Sequence, residues 1–572
     1  MPFLTRAAVG GLFEARTTAP DPTAAGTARV LVASNRGPVA FAYSEAGALT
    51  ARRGSGGLVS GMQEVIRDAA AQAAAGTAGA VGTLDEPEVA FGAPPSGIVW
   101  VCAALSEADR HATRIAPKGR IDWAGFDTGA AGIRMLDVDR AVFDRAYNGV
   151  ANRTLWFALH LLFTPANEPS FGATFWRDWA AYEVYNVMFA EALAAEAAPG
   201  AAVLVQDYHL TLVPGLLRKM RPDLRISHFT HTPWAPPDYF RILPDRVSRA
   251  VITGMLGADC LGFLTERWAT AFHDCARDLL GAGTEFPASS PEIRLVAADL
   301  PARGGDFAAD GTDFPARCPG DRQELEITHG DRRVALGVHS LGVDAAALRA
   351  RAAAPDVVAR AAELRALVGD RQLIVRIDRT ELSKNIVRGL EAYRELLRTH
   401  PDWHGQVTHL VCAYPSRQDM PEYRDYTAAV ERVAAEIDAE FSSADWRPLH
   451  LEVRDDYPRS LAALTLADVL VVNPIRDGMN LIAKEGPVVS DRDVVLVLSR
   501  ETGASAELGL DALCVNPYDV TATAEALDTA LRMPAAERRR RAAHLAALAA
   551  RLAPGDWFRQ QLAALPAADE AK

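Results

Sequence analysis

The chain is 572 residues long, 49% hydrophobic and 23% charged, too long for one compact core and of a size for two α/β lobes plus tails. Its net charge of -13, from 60 Lys+Arg against 73 Asp+Glu, excludes a general nucleic-acid or anionic-membrane surface, so an anionic substrate must be held by local cations. No run is long and apolar enough to span a bilayer. The six cysteines, Cys102, Cys260, Cys275, Cys318, Cys412 and Cys514, show neither CxxC spacing nor a dense framework, which predicts free structural thiols in a reducing cytoplasm.

Residues 1–27 alternate Ala, Thr, Pro and Gly, and Arg6, Glu14 and Arg16 interrupt their apolar patches. No signal-peptide core forms, and a disordered tail is expected. RVLVA (29–33) reads as a first buried strand whose carboxyl end opens into Ser34-Asn35-Arg36-Gly37-Pro38. Then comes Arg52-Arg53-Gly54-Ser55-Gly56-Gly57-Leu58, where glycines let backbone approach a ligand and a following helix terminus favours phosphate. It matches neither a GxGxxG nor a Walker motif, so alone it is an ordinary loop. YNGVANRTLWFALHLLF (147–163) has apolar residues at helical spacing, a setting in which Tyr147 and Trp156 are ordinarily core. AAVLVQ (201–206) and RISHFT (225–230) are strands ending at Asp207-Tyr208-His209 and His231-Thr232-Pro233-Trp234. A lone histidine is usually a core residue. Two consecutive strands bringing Asp207 and His231 to one sheet edge argue more, because open α/β sheets bind ligands outside the carboxyl ends of their strands.

From 284 to 326 the composition turns to Pro, Gly, Asp and Ala, predicting a flexible excursion. LEITHGDRRVALGV reads as a hairpin turning at Gly330-Asp331, with the interlobe boundary between Ser340 and Asp344. The second lobe repeats the pattern. QLIVRID (372–378) leads to Arg379 and Lys384, VTHLVCA (407–413) to Pro415-Ser416-Arg417, and HLEV (450–453) to Asp455, Asp456 and Tyr457. DVLVVN leads to Asp477, and DVVLVLS (493–499) and ALCVNP (512–517) complete the set. Strands alternating with helices imply βαβ units and a parallel sheet in each lobe, with polar residues gathered at strand ends around a cleft.

Within this pattern VVNPIRDGMNLIAKE (471–485) reads as a strand, a loop with Asp477 as N-cap, and a helix start. A helix terminus facing out of the sheet offers N–H donors and positive dipole to a diphosphate, with Lys484 and Glu485 on its first turns. The final helices, AERRRRAAHLAALAARLA and DWFRQQLAAL, place Leu545, Leu548 and Leu552 on one stripe and Arg538 to Arg541 on a solvated face. No metal-ligand cluster stands out, and Asp491-Arg492-Asp493 reads as a surface loop before a strand. The expected domains are a tail (1–27), an N-terminal lobe (28–340), a C-terminal lobe (341–552) and a last helix (553–572) returning to the first lobe.

In this order, SNRGPV, GSGGLVSG, YNGVANRTLW, VQDYHLTLVPGLLRKMRPD, HFTHTPW, LGADCLGF, DRTELSKN, YPSRQDMPEY, NPIRDGMNLIAKE and VNPYDV resemble the trehalose-6-phosphate synthases. These are retaining glycosyltransferases of family 20, with two facing Rossmann-like lobes (GT-B) and an interlobe cleft. The resemblance implies an acceptor lobe and a donor lobe, and transfer of glucose from GDP-, UDP- or ADP-glucose to glucose-6-phosphate, giving α,α-trehalose 6-phosphate, with no tightly bound cofactor and no metal. Arg36, Tyr147, Asp207 and Arg417 match its glucose-6-phosphate site, and Trp156 and Thr232 its positions for selecting the α anomer. Gly56 and Gly57 match the backbone approach to the donor, Arg379 and Lys384 the diphosphate clamp, and Tyr457 the position near the base. Leu481, Ile482, Ala483, Lys484 and Glu485 match the nucleotide-ribose stretch. Asp477 matches the contact to donor glucose hydroxyls, and His231 the place where donor and acceptor meet.

The chain departs from the family at Leu382, where an aromatic residue is usual, at Asn385 (Gly), Thr232 (aliphatic) and Trp234 (Phe), and in GPVVSDRD after Glu485. These departures bear on substrate choice more than on reaction class. The alternatives are a glucosylglycerol-phosphate synthase, a pseudo-glycosyltransferase joining cyclitols, and a regulatory sugar-phosphate-binding homologue. The sequence fixes neither the base nor whether the chain forms a homo-oligomer.

Overall fold

The computed structural model describes residues 26–44, 47–53, 66, 94, 96–281, 284–285 and 325–567. It holds two open, largely parallel sheets flanked by helices. In chain order the first lobe supplies β1 (Ala28–Ala33), β2 (Val39–Tyr43), β3 (Leu49–Arg53), β4 (Ile98–Ala103), β5 (Gly132–Leu136), β6 (Ala197–Gln206), β7 (Arg225–Thr230), β8 (Cys260–Phe263), β9 (Thr284–Glu285), β10 (Leu325–His329) and β11 (Arg332–Val338). Strands β2 and β3 form a separate hairpin, and the other nine make one sheet in the order β5-β4-β1-β6-β7-β8-β11-β10-β9. The β10–β11 hairpin pairs His329 with Arg332 across the Gly330-Asp331 turn, while β11 runs parallel to β8 and extends the sheet.

The second lobe supplies β12 (Gln372–Arg379), β13 (Val407–Tyr414), β14 (Leu449–Glu452), β15 (Val469–Val472), β16 (Val495–Ser499) and β17 (Leu513–Val515). They form an all-parallel sheet in the order β14-β13-β12-β15-β16-β17. Helices cover both faces, so β15 and β16 at the centre of the sheet read as near-continuous apolar runs rather than as alternation. On β12, Leu373, Val375 and Ile377 belong to one apolar cluster and Ile374 to the other. That is the period-2 alternation of a strand buried on both sides.

Each sheet reverses its strand order beside its first strand, and the first sheet turns back again at its far edge, where β9 is outermost and β11 lies beside β8. In the first, the chain steps from β1 out to β5 and returns with β6 beside β1. In the second it steps from β12 out to β14 and returns with β15 beside β12. The loops after β1 and β6, and those after β12 and β15, therefore diverge and leave a crevice at the carboxyl ends. Arg36, Asp207, Thr380 to Lys384 and Asp477 lie in these loops, and Arg379 is the last residue of β12.

Tyr147 and Trp156 lie where helical spacing is read, but the backbone over Arg145–Leu155 is a π-helix that passes into an α-helix at Trp156–Leu159. The last helix, Pro554–Ala563, packs on the first sheet, where Trp557 meets Phe229 edge to face at 5.0 Å. Cys102, Cys260, Cys275, Cys412 and Cys514 are free thiols, all but Cys514 buried. Cys318 and most of the 284–326 excursion lie outside the described residues. Of the four arginines expected on a solvated face, Arg539 and Arg540 are exposed and Arg538 and Arg541 are not. Arg538 reaches Asp468 at 3.3 Å and Arg541 reaches Glu537 at 2.6 Å, both guanidiniums being largely covered. Asp491 to Asp493 do form the loop before β16, with Arg492 bound to Asp468 at 3.0 Å.

Candidate active site

The second lobe's side of the crevice is built on Glu381, two residues beyond the end of β12. Its carboxylate is fully buried, with one oxygen on Arg417 and the other 2.8 Å from Arg379. Tyr423 adds a hydroxyl at 3.0 Å. Burial disfavours the charged form, but Arg379, Arg417 and Lys384 together outweigh it and hold the carboxyl down to about 2. One anion thus fixes two guanidiniums that the family resemblance matches to different substrates. Glu381 is absent from the sequence reading, although a carboxylate between two expected phosphate-binding cations was a usable signal.

Lys384 ends the 3-10 turn Leu382–Lys384 and pairs with Asp477, whose second contact is the Asn480 amide at 3.0 Å. Burial opposes both charges and their mutual attraction prevails, so Lys384 titrates higher and Asp477 lower than usual. Asp477 is therefore not an N-cap. The helix it was expected to cap begins later, over Ile482–Val489, with Leu481 at the cap position. The turn itself is tied down by the buried Arg376, which bonds the Lys384 carbonyl and the Asn473 side chain and lies 2.9 Å from Asp378. Asn385 takes φ 59 and ψ 36, the left-handed conformation in which glycine is free and asparagine next most tolerated. Its amide bonds Asn473 O at 3.0 Å and Pro517 O at 2.8 Å, so this departure from the family pattern is a compatible one.

Along 481–485 the side chains diverge. Lys484 is buried, its ammonium 2.9 Å from Glu507 and 2.8 Å from the Leu341 carbonyl in the segment joining the sheets. It is a strut, and the expectation that its charge faces a ligand is corrected. Ala483 is buried, and Leu481 and Ile482 are half-buried. Glu485 has no cationic partner among the described residues, and burial alone lifts it to about 7. Tyr457 is exposed at the start of its helix, with Arg351 5.8 Å from its ring.

On the first lobe's side, Asp207 follows β6 with φ 71 and ψ 172, a region nearly confined to glycine that costs ~1–3 kcal/mol and is retained mainly at functional positions. Burial raises its carboxyl to about 7, against backbone N–H bonds from Tyr208 and His231 and the charge of Arg417. His231 after β7 donates its backbone N–H to Asp207 at 3.2 Å, and burial keeps its ring neutral, with a pKa of about 3. Tyr147 stacks between Phe143 and His209 at 5.1 and 5.5 Å. Burial first, then Arg417 and Arg36, push His209 down to about 3, so both cations act on this corner. Arg36 is exposed, its backbone carbonyl bonded by Ser34 at 2.6 Å.

The two sides meet at named contacts. Arg417 lies 4.3 Å above the Trp156 ring and donates to the Tyr208 hydroxyl at 3.1 Å, which in turn donates to Asn152 at 2.8 Å. Arg379 stands 5.9 Å from the same ring. A Cβ at Gly478 would lie 1.9 Å from the His231 carbonyl oxygen, so the loop carrying Asp477 reaches His231 only because residue 478 has no side chain. Thr232 is buried beside it. Arg36, Tyr147, Asp207, His231, Trp156, Arg379, Lys384, Arg417 and Asp477 thus line one crevice between the sheets. Gly56 and Gly57 lie outside the described residues. The arrangement offers permanent cations for phosphate, two carboxylates near pH 7 for hydroxyls, and a neutral imidazole at the junction.

The family model of glycosyltransferase family 20 matches residues 118–567. The chain is 32% identical over 398 residues to a bifunctional trehalose-6-phosphate synthase/phosphatase of Thermoproteus tenax, a match covering 69% of this chain and 48% of that protein. It therefore spans about half the length of that relative. Validamine 7-phosphate valienyltransferase of Streptomyces hygroscopicus subsp. jinggangensis is 31% identical over 483 residues, covering 83% and 86% of the two chains. Among solved structures, an alpha,alpha-trehalose-phosphate synthase (UDP-forming) from Burkholderia vietnamiensis superposes with a TM-score of 0.68 at 27% identity, covering 94% of this chain and 98% of the other. The family match over most of the chain, on a two-lobed α/β fold with the motif residues gathered in its crevice, shows that this protein belongs to glycosyltransferase family 20.

Proposed function

We propose that the protein transfers glucose, with retention, from a nucleoside-diphosphate glucose to glucose-6-phosphate, giving α,α-trehalose 6-phosphate and the nucleoside diphosphate. The observation that carries this reading is the buried Glu381 holding Arg379 and Arg417 side by side. A diphosphate and a phosphate dianion each need a permanent cation, and here two are fixed at the junction of the lobes. Arg379 and Lys384 take the diphosphate. As the glycosidic bond breaks, its bridging oxygen gains charge, so these cations stabilise the transition state more than the ground state.

Binding of the diphosphate competes with Asp477 for Lys384 and turns the Asp477 carboxylate to the donor glucose hydroxyls. Arg36 and Arg417 take the acceptor phosphate, Asp207 orients acceptor hydroxyls, and Trp156 and Thr232 shape the pocket for one anomer. Glu485 accepts from the ribose hydroxyls, and Tyr457 lies beside the base. No carboxylate pair suited to double displacement faces the crevice among these residues. A front-face transfer, in which a leaving-phosphate oxygen accepts the acceptor's proton, fits them.

The match to a valienyltransferase over 83% of the chain supports a second reading, transfer of a cyclitol unit to a phosphorylated acceptor. The deciding experiment crosses GDP-, UDP- and ADP-glucose against glucose-6-phosphate and glycerol-3-phosphate and measures nucleoside diphosphate release and product. Transfer to glucose-6-phosphate is expected with at least one donor. No transfer from any of the three would overturn the proposal in favour of the cyclitol reading or of a binding protein without turnover.

A further inference from the structure

His231 is held by more than its own loop. Its Nε2 lies 3.0 Å from the Gln206 side-chain oxygen. An amide oxygen only accepts, so Nε2 carries the ring proton. The Gln206 amide nitrogen donates in turn to Gln561 Oε1 at 3.1 Å, across 355 residues of sequence. Both glutamines are buried, at 1% and 0% exposure. Gln561 belongs to the last helix, Pro554–Ala563, which also sets Trp557 5.3 Å from the His231 ring. A primary amide fits its socket in either of two orientations that exchange donor and acceptor. As the side chains lie, Gln206 turns its oxygen to His231 and its nitrogen to the Gln561 oxygen, while the Gln561 amide nitrogen has no hydrogen-bond partner among the described residues.

We propose that Gln561 is a positioning residue which, through Gln206, locks His231 in the Nε2–H tautomer and leaves Nδ1 free to accept a hydrogen bond from a sugar hydroxyl at the lobe junction. This rests on the reading of His231 as the residue at that junction. The last helix thereby belongs to the active-site machinery as well as to the fold. With the acceptor gone, Gln206 is free to rotate and offer its N–H to Nε2. The imidazole then carries its proton on Nδ1 and presents a donor where an acceptor is needed.

The test uses full-length protein labelled with 15N-histidine, in which long-range 1H–15N spectra distinguish the tautomers and His231→Asn assigns the signal. Native protein and Gln561→Glu, which keeps an acceptor, should show the Nε2–H form alone. Gln561→Leu should populate the Nδ1–H form and lower kcat about 10- to 100-fold, the size of effect that loss of an outer hydrogen-bond partner has on metal-bound histidines, with a smaller change in KM. Adding Gln206→Glu to Gln561→Leu should restore the Nε2–H form, because a carboxylate accepts at both oxygens. Arg559→Ala, on the exposed face of the same helix, should leave the tautomer and kcat unchanged.

If Gln561→Leu fails to fold, Gln561→Asn, shorter by one methylene, shows whether loss of reach shifts the tautomer. A native tautomer in a folded Gln561 variant that lacks the acceptor overturns the proposal. So does failure of Gln206→Glu to restore it, or a shifted tautomer with native kcat. Failure of the transfer reaction itself would appear instead as a native tautomer with no turnover on any donor.

Discussion

Replacing Glu381 with glutamine keeps the shape of the side chain and removes the charge shared by two guanidiniums. Glu381 has no exposed surface, the Arg417 side chain is 10% exposed and Arg379 is 37% exposed. Taking one partner from a buried pair costs ~3–5 kcal/mol. The Arg379 half is discounted for solvent screening, so the Arg417 half should dominate, with a loss near ~3 kcal/mol. Arg417 keeps the Tyr208 hydroxyl and the Trp156 face, so the protein should still fold.

The positive charge also stays, and glucose-6-phosphate should still be attracted, leaving KM within a few-fold. What is lost is fixed geometry at the bond being broken, and one misplaced electrostatic donor lowers kcat about a hundredfold. Urea unfolding followed by circular dichroism reads the first effect, and steady-state release of nucleoside diphosphate at varied glucose-6-phosphate reads the second. A folded Glu381→Gln protein with native kcat would refute the idea that this carboxylate organises the site.

Asp477→Ala should abolish transfer and, by leaving Lys384 buried without its partner, destabilise by ~3–5 kcal/mol. The double variant with Lys384→Ala should lose less stability than the sum of the singles, and additivity in urea unfolding would contradict the pairing. Lys484→Met should cost stability in the same range and couple to Glu507→Gln in a double-mutant cycle, with no coupling to nucleotide binding by calorimetry. Glu485 carries a carboxyl raised to about 7, so it binds its proton more tightly folded than unfolded and withdraws stability as pH rises from ~4 through 7. Relative to native protein, Glu485→Gln should therefore gain thermal stability over that window while its nucleotide affinity loses the native rise with pH; parallel profiles would reject the assignment. Gly478→Ala puts a methyl carbon into the His231 carbonyl, and should cut activity by displacing the Asp477 loop, a shift that hydrogen exchange at 475–481 would report.

Much of the site was legible because strand ends punctuate a sequence. Runs such as AAVLVQ, RISHFT and QLIVRID carry β-branched and aromatic residues in short segments, which marks strands, and the turn-forming polar residues after each show where a carboxyl-end loop must start. Hence Asp207, His231 and Arg379 were placed correctly relative to the sheets. The π-helix over Arg145–Leu155 was not legible, because a side-chain spacing near 3.6 does not reveal one extra residue per turn. Nor was the start of the helix at Ile482, because Asp477 has the chemistry of an N-cap and only the presence of Lys384 shows where its carboxylate is used.

The sequence by itself determined the class of the fold, the order of its strands along the chain and the chemical kinds available at each loop. Those follow from hydrophobic period and turn chemistry, which are local. Only the tertiary structure decided which charges meet. It gave Lys484 to Glu507 rather than to a ligand, set Arg379 and Arg417 on one Glu381, and brought Gln561 beneath His231. Ion pairing and desolvation depend on distances across hundreds of residues, and those distances exist only once both sheets have reversed their strand order and the last helix has crossed back.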